Sequence, residues 1–190
     1  MPLSRELVQS VRKRVTEDPG VPTELLALEL KASEAEVITA LPLNMRLRAR
    51  NSAFDVIWNT LSKWDNVSVK LPSLPEGQPP LEDNGPNELR RSVFPFRLVE
   101  SLPDRPNWTD QLGFIWFVSK PHIHEASLSV RFFDKKGEHL LSVYLNPGKD
   151  GVYNPNHKAD YDAMCERFGV IPVPKNRCKG CRSCTCQAAN

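Results

Sequence analysis

The chain has 190 residues, 25 basic and 23 acidic, for a net charge of +2. That length allows one domain with a real core and a small appendage, and the near balance of charge makes no case for a nucleic-acid or membrane-surface protein. No apolar run approaches the roughly 20 residues of a membrane span and the opening MPLSRELVQS has no signal-peptide core, so a cytoplasmic protein with no membrane insertion is expected.

In chain order, residues 4–17 place Leu7, Val8, Val11 and Val15 on one helical stripe, with Ser4 positioned to cap it and Asp18-Pro-Gly20 to stop it. Thr23 opens a second short helix, TELLALEL, and Ser33 with Glu36 forms a capping box for a third, which halts at Pro42. The last two have the outline of a helix-turn-helix. A DNA-reading helix needs base-reading and phosphate-neutralising groups, whereas this one offers Glu34, Glu36 and Thr39 with no Lys or Arg between Ser33 and Leu41. A helical cap packed on the body is therefore expected, and no nucleic acid.

The segment NSAFDVIWNTLSKWDN from Asn51 sets Phe54, Ile57, Trp58, Leu61 and Trp64 at helical spacing, which predicts an amphipathic core helix. A short strand follows over Asn66–Leu71. Residues 72–88 hold five prolines and two glycines and predict a long loop, mobile or functional. Strand character resumes over Arg90–Glu100, where Arg90, Arg91 and Arg97 are either a solvated strand side or a partner for a ligand carboxylate.

The plainest stretch is Glu125–Asn146, preceded by the strand-like Leu112–Val118. Val130 and Phe132 alternate with their neighbours, Asp134-Lys-Lys-Gly-Glu138 makes a turn, and Leu141, Val143 and Leu145 resume the period of two. This is a β-hairpin with one greasy face, which needs further strands or a helix over it. Just before it, His122 and His124 stand at i and i+2, so in an extended segment both point the same way; they either meet a metal or haem iron together or form a surface pair. His157–Phe168 predicts a final helix with Ala159, Met164 and Phe168 towards the body and Cys165 near that face as a small buried hydrophobe.

The end of the chain has a different character. A proline-spaced tether, Val170–Asn176, leads to Cys178, Cys181, Cys184 and Cys186 in C-x2-C-x2-C-x-C order. Four thiols at these spacings can wrap one zinc ion or iron–sulfur cluster, and Lys179 and Arg182 inside the run favour thiolates. A flexible thiol tail that hands over metal or oxidises reversibly is the other expectation.

Three segments in order, GVPTELLALELKASEAEVITALP, FDVIWNTLSKWDNVSV and SLSVRFFDKKGEHLLSVYL, resemble the HutX/ChuX haem-utilisation family, relatives of half of a HemS-type haem protein. The resemblance spans roughly Val21 to Lys149. It implies an α+β fold, a small N-terminal helical cap on a large antiparallel β-sheet with a helix near the C-terminus, and a homodimer that binds haem and passes it to another protein. The family's proposed histidine ligands are not matched, because no histidine precedes His122 and the first of their places falls in the neighbourhood of Val69 to Pro72. His122, His124 and Tyr144 are the available substitutes by side-chain type.

The domains expected are thus a cap over 1–45, a haem-carrier-like sheet domain over 46–169, and a tether with a Cys-rich tail over 170–190. No nucleophile, base and orienter arrangement suggests a catalytic residue, so a haem-binding and trafficking protein is expected rather than an enzyme. The competing expectation is an iron–sulfur redox protein whose tail acts on a ligand held by the sheet.

Overall fold

The computed structural model describes residues 3–64, 67–70, 92–94, 108–121, 127–148 and 151–170. Three helices come first: α1 (Arg5–Glu17), α2 (Thr23–Leu30) and α3 (Glu34–Ala40). Each boundary follows from its local sequence. The Ser4 hydroxyl accepts from the Leu7 amide at 3.0 Å, Lys31 ends α2 in the left-handed region with φ 50°, and Ser33 and Glu36 form both halves of a capping box.

Among the described residues, seven strands form one antiparallel sheet in the order β3-β2-β6-β5-β4-β1-β7. They are β1 (Arg46–Ala49), β2 (Val67–Lys70), β3 (Ser92–Phe94), β4 (Leu112–Lys120), β5 (Ser127–Asp134), β6 (His139–Leu145) and β7 (Gly169–Val170). The centre is the β4-β5-β6 meander that the alternating sequence predicts. Its β5–β6 turn is set by Asp134, whose Oδ1 accepts from the amides of Lys136 and Glu138, each at 2.8 Å, and by Gly137 at φ 89°, which a side chain would strain.

Between β1 and β2 the chain must cross from one side of the meander to the other, and α4 (Phe54–Leu61) makes that passage over the first sheet face. This is why it is so aromatic. Phe54 and Trp58 meet Phe132 edge-on at ring separations of 5.8 and 6.2 Å. Ile57, Trp58, Leu61 and Trp64 form one core with Val67, Ile115, Phe117, Val130, Phe132, Leu141 and Val143. Each such side chain, fully buried, contributes about 1.5–3 kcal/mol. Trp64 lies beyond the end of α4, held by its indole N–H donating to Asp160 Oδ2 at 3.1 Å.

The short α5 (Trp108–Gln111) leads into β4, and α6 (Pro155–Phe168) closes the first face. α6 begins two residues earlier than the sequence predicts, at Pro155, with Asn154 as its cap. Its inward stripe is His157, Tyr161 and Met164, with Cys165 and Phe168 partly buried. The expectation for Ala159 is corrected: it is exposed, because it falls between the turns that carry the stripe.

The hairpin has the one greasy face that its alternation predicts, Val130, Phe132, Leu141, Val143 and Leu145, but its other face is covered as well: there Phe133, with Trp116 and Val118 of β4, forms a second core with Val11, Val15, Leu26, Val37, Ile38 and Leu41 of the cap. Among the described residues no helix is long and apolar enough to cross a membrane.

Candidate functional site

Strand pleating puts Ser68 and Lys70 of β2, Lys120 of β4, Ser129 and Arg131 of β5, and Ser142 and Tyr144 of β6 on the face that looks towards the cap. The apolar part of the cap covers only Trp116, Val118 and Phe133 of that face. The rest is polar, and most of it is buried: Arg131 is 5 % exposed, Lys120 5 % and Tyr144 4 %. Buried charges need partners, and the helix starts of the cap supply them. Glu24 is in the first turn of α2 and Glu34 opens α3, both places where the helix dipole favours a carboxylate.

Arg131 Nη1 donates to Glu34 Oε1 and to the Thr23 hydroxyl at 2.5 Å, Nε donates to Ser129 Oγ at 3.0 Å, and the guanidinium stacks over the Tyr144 ring at 5.1 Å. Glu24 Oε1 accepts from Lys70 Nζ at 2.9 Å and from the Tyr144 hydroxyl at 3.0 Å, and lies 3.8 Å from Arg131. Burial alone would raise the Glu24 pKa; the charges of Arg131 and Lys70 outweigh it and hold the carboxyl well below the usual carboxylate range. Burial pushes the Tyr144 phenol above its ordinary value, so Tyr144 is a neutral hydrogen-bond donor here.

Lys120 differs from the other two cations. Its ammonium donates to the Val21 carbonyl, and among the described residues no carboxylate forms an ion pair with it. Burial, and then the charge of Arg131, lower its pKa to about 8. Glu24 and Asp18 act on Lys120 as opposing negative charges, without forming an ion pair with it. Lys120, Arg131, Tyr144, Thr23 and Glu24 line a cavity of about 60 Å³ with the Gly20–Pro22 turn. A water occupies about 30 Å³ and a small-molecule pocket about 300–1,000 Å³. The cavity therefore fits waters or a carboxylate head, and does not fit a macrocycle.

Of the residues singled out by sequence, Tyr144 belongs to this cluster. His122 and His124 lie outside the described residues, two and four positions beyond Lys120 in the chain. The four tail cysteines, the proline-rich stretch 72–88 and Arg90, Arg91 and Arg97 also lie outside them. Among the described residues no group of three or more His, Cys, Asp or Glu side chains could hold a metal ion. Glu24, Glu34, Lys70, Lys120 and Arg131 were not singled out by the sequence reading. The one signal was Arg131, a charge flanked by Val130 and Phe132 in a hairpin that needs both faces covered. His139 is also part of the polar face: a ring nitrogen lies 2.8 Å from Ser142 Oγ, and burial, then Lys70 and Arg131, lower its pKa to about 4.

A helical cap and α4 on opposite faces of one antiparallel sheet define the class: this is the fold of the ChuX and HemS-like haem-utilisation proteins. The family model described as haem utilisation ChuX/HutX matches residues 108–164, which bears out the resemblance read from the sequence. ChuX is 15 % identical, with a TM-score of 0.56 over 82 % of this chain and 96 % of its own. A protein of Erwinia carotovora is 18 % identical, with a TM-score of 0.59 over 85 % of this chain and 98 % of its own. The haem-binding protein PhuS of Pseudomonas aeruginosa is 14 % identical, with a TM-score of 0.60 over 88 % of this chain and 46 % of its own, so this chain corresponds to about half of PhuS. No curated protein matches the chain.

Proposed function

We propose that the protein binds haem in the cytoplasm, as a homodimer, and passes it to another protein. The observation that carries this reading is that the stretch matched by the haem-utilisation family, residues 108–164, supplies Lys120, Arg131 and Tyr144 to one buried cluster and contains His122 and His124 immediately after Lys120. A haem carries two carboxylates on an apolar ring. Lys120, which has no ion-pair partner among the described residues, suits a carboxylate entering the cavity, while the ring has to lie outside it. An iron ligand is then best supplied by His122 or His124, which follow Lys120 in sequence. Tyr144 would have to leave Glu24 and ionise against its burial to serve, so its role is to hold Glu24 and Arg131 in place.

The tail is proposed as a thiolate site for zinc or an iron–sulfur cluster, with Cys178, Cys181, Cys184 and Cys186 as ligands. It is separate from the haem reading in sequence and in chemistry.

Haemin titration of the full chain, of His122→Ala/His124→Ala and of Tyr144→Phe tests the proposal. One equivalent is expected to give a saturable Soret band. The double histidine variant should shift the band and weaken binding at least tenfold, with Tyr144→Phe much closer to the parent. No saturable band with the parent chain overturns the carrier reading. Binding retained only when residues 176–190 are present would favour the redox alternative, in which the tail acts on a ligand of the sheet.

A further inference from the structure

At the sheet edge away from β2 and β3, the chain carries arginines that it does not pair. In β1, Leu47 and Ala49 turn to the core under α4 and α6, so the alternate residues Arg46 and Arg48 stand on the cap side, and Arg50 follows with its backbone still extended. Arg48 and Arg50 line one hollow of about 400 Å³, Arg50 and Arg167 an adjoining one of about 350 Å³, and neither has an Asp or Glu in its lining. Arg48, Arg50 and Arg167 are exposed, and among the described residues none of them forms an ion pair, unlike Lys70, Arg131, Arg14 and Lys158. Arg46 is buried, yet its Nη1 has no hydrogen-bond partner among the described residues, and the charge acting on it is that of Arg12, of the same sign.

Two of the exposed guanidinium groups are already held. Arg48 lies over the Phe114 ring at 4.7 Å and Arg167 over Phe168 at 5.1 Å. Stacking of this kind leaves the N–H edges open to a carboxylate and lowers the entropy lost when one binds. Beside them Val56 is 45 % exposed and Val170 40 %, and Val170 lines both hollows. The row is a fixed part of the sheet: β7 pairs with β1 at Arg48 and Ala49, and Arg48 stands opposite Trp116 of β4. Lys120 is four residues further along β4, about 13 Å at the rise of a strand, so a molecule on the row would sit beside the buried cluster.

We infer that this row is a docking surface for another protein, and that it takes an extended acidic segment with Asp or Glu at alternate positions and an apolar residue beside them. Alternate residues of a strand are about 6.6 Å apart, so carboxylates at every second position of an extended peptide meet Arg48 and Arg50 in step, and an arginine fork pairs with a carboxylate in two-pronged fashion. The exposed valines face the apolar residue. A single nucleic-acid strand would also bring negative charge, but its bases stack on aromatic faces; here Phe114 and Phe168 each carry an arginine. A second copy of the chain meeting this edge on a two-fold axis would set arginines against arginines, which opposes self-association there. The inference goes beyond the carrier reading, since it needs neither haem nor any residue of the buried cluster.

The test is fluorescence anisotropy of a labelled peptide of alternating Glu and Val, titrated with the full-length protein. Saturable binding is expected, falling with added salt and at least tenfold weaker in Arg48→Gln/Arg50→Gln/Arg167→Gln, with amide NMR shifts in the parent centred on Val56 and Val170. The same peptide with Gln in place of Glu should bind far less well. Circular dichroism shows whether the triple variant is folded; if it is not, Arg50→Gln alone, at an exposed position, should still weaken binding several-fold. Equal affinity of parent and folded variant overturns the inference, as do shifts centred on Lys120 and Tyr144 or equal binding of the Gln peptide. Tighter binding of an oligothymidylate of the same charge also overturns it, and points to a nucleic acid.

Discussion

Arg131, midway along the central strand β5, donates to Glu34, the first residue of α3, and this contact ties the cap to the sheet by charge as well as by packing. Both side chains are nearly enclosed, 6 % and 10 % exposed. A buried pair contributes modestly against an apolar replacement, but breaking it leaves a charge with no compensation. Arg131→Ala should therefore cost about 3–5 kcal/mol, more than Glu34→Gln, which leaves the Thr23, Ser129 and Glu24 contacts of Arg131 in place. Urea unfolding of the two variants checks the order; equal and small losses would show that the cluster is solvated in solution.

Acid should loosen the protein before its carboxylates titrate. His139 is held neutral, with a folded pKa of about 4 against an unfolded value of about 6.5. Between those values the unfolded chain binds more protons, so stability falls as pH drops from about 6.5 to 4, by an amount on the order of 3 kcal/mol. Glu24, with its pKa depressed, adds stability that is present above its unfolded value of about 4.3 and is lost as pH falls further. His139→Gln should flatten the upper part of this profile and leave the lower part. A midpoint denaturation curve unchanged between pH 7 and 5 in the parent protein would contradict it.

Gly113 makes the bulge where β4 meets the end of β5. A Cβ there would lie 2.3 Å from the Asp134 carbonyl oxygen, and backbone cannot yield as a flexible side chain can. Gly113→Ala is expected to cost about 1–3 kcal/mol, the range of core overpacking, and to shift the amide resonances of Asp134 and Lys135. Gly137→Ala, at φ 89°, should cost about 1–2 kcal/mol for its left-handed backbone, without disturbing β4.

Thiol chemistry should divide the five cysteines. Burial pushes the Cys165 thiol up to about 12, so it should resist alkylation in the folded protein and react on unfolding. The four tail cysteines, if they hold metal, should be protected until a chelator is added, and metal release should not change the far-ultraviolet spectrum of the body. Rapid alkylation of Cys165 in native protein would show that α6 opens.

The regular elements were legible because each is fixed by neighbours in sequence. The Ser33–Glu36 capping box, the Asp134–Glu138 turn and the alternation of Val130, Phe132, Leu141 and Val143 are local devices, and each forms where it was predicted. Ala159 was misplaced because it stands two residues from both His157 and Tyr161, about 200° round the helix and so on the side opposite the inward stripe. Tyr144 stood out by side-chain type, yet its present role depends on Glu24, 120 residues away.

By itself, the sequence determined the α+β class, the helical cap, the central meander and the likeness to the haem-utilisation family, since caps, turns and periodicity act over a few residues. Only the tertiary structure decided that both faces of the hairpin are buried and that charge is drawn inside with them. Glu24 and Glu34 reach Lys70, Arg131 and Tyr144 across the contact between cap and sheet. That meeting is set by the packing of Val37, Ile38 and Leu41 on Trp116, Val118 and Phe133, and a charge acquires its buried partner only once such distant surfaces have closed on each other.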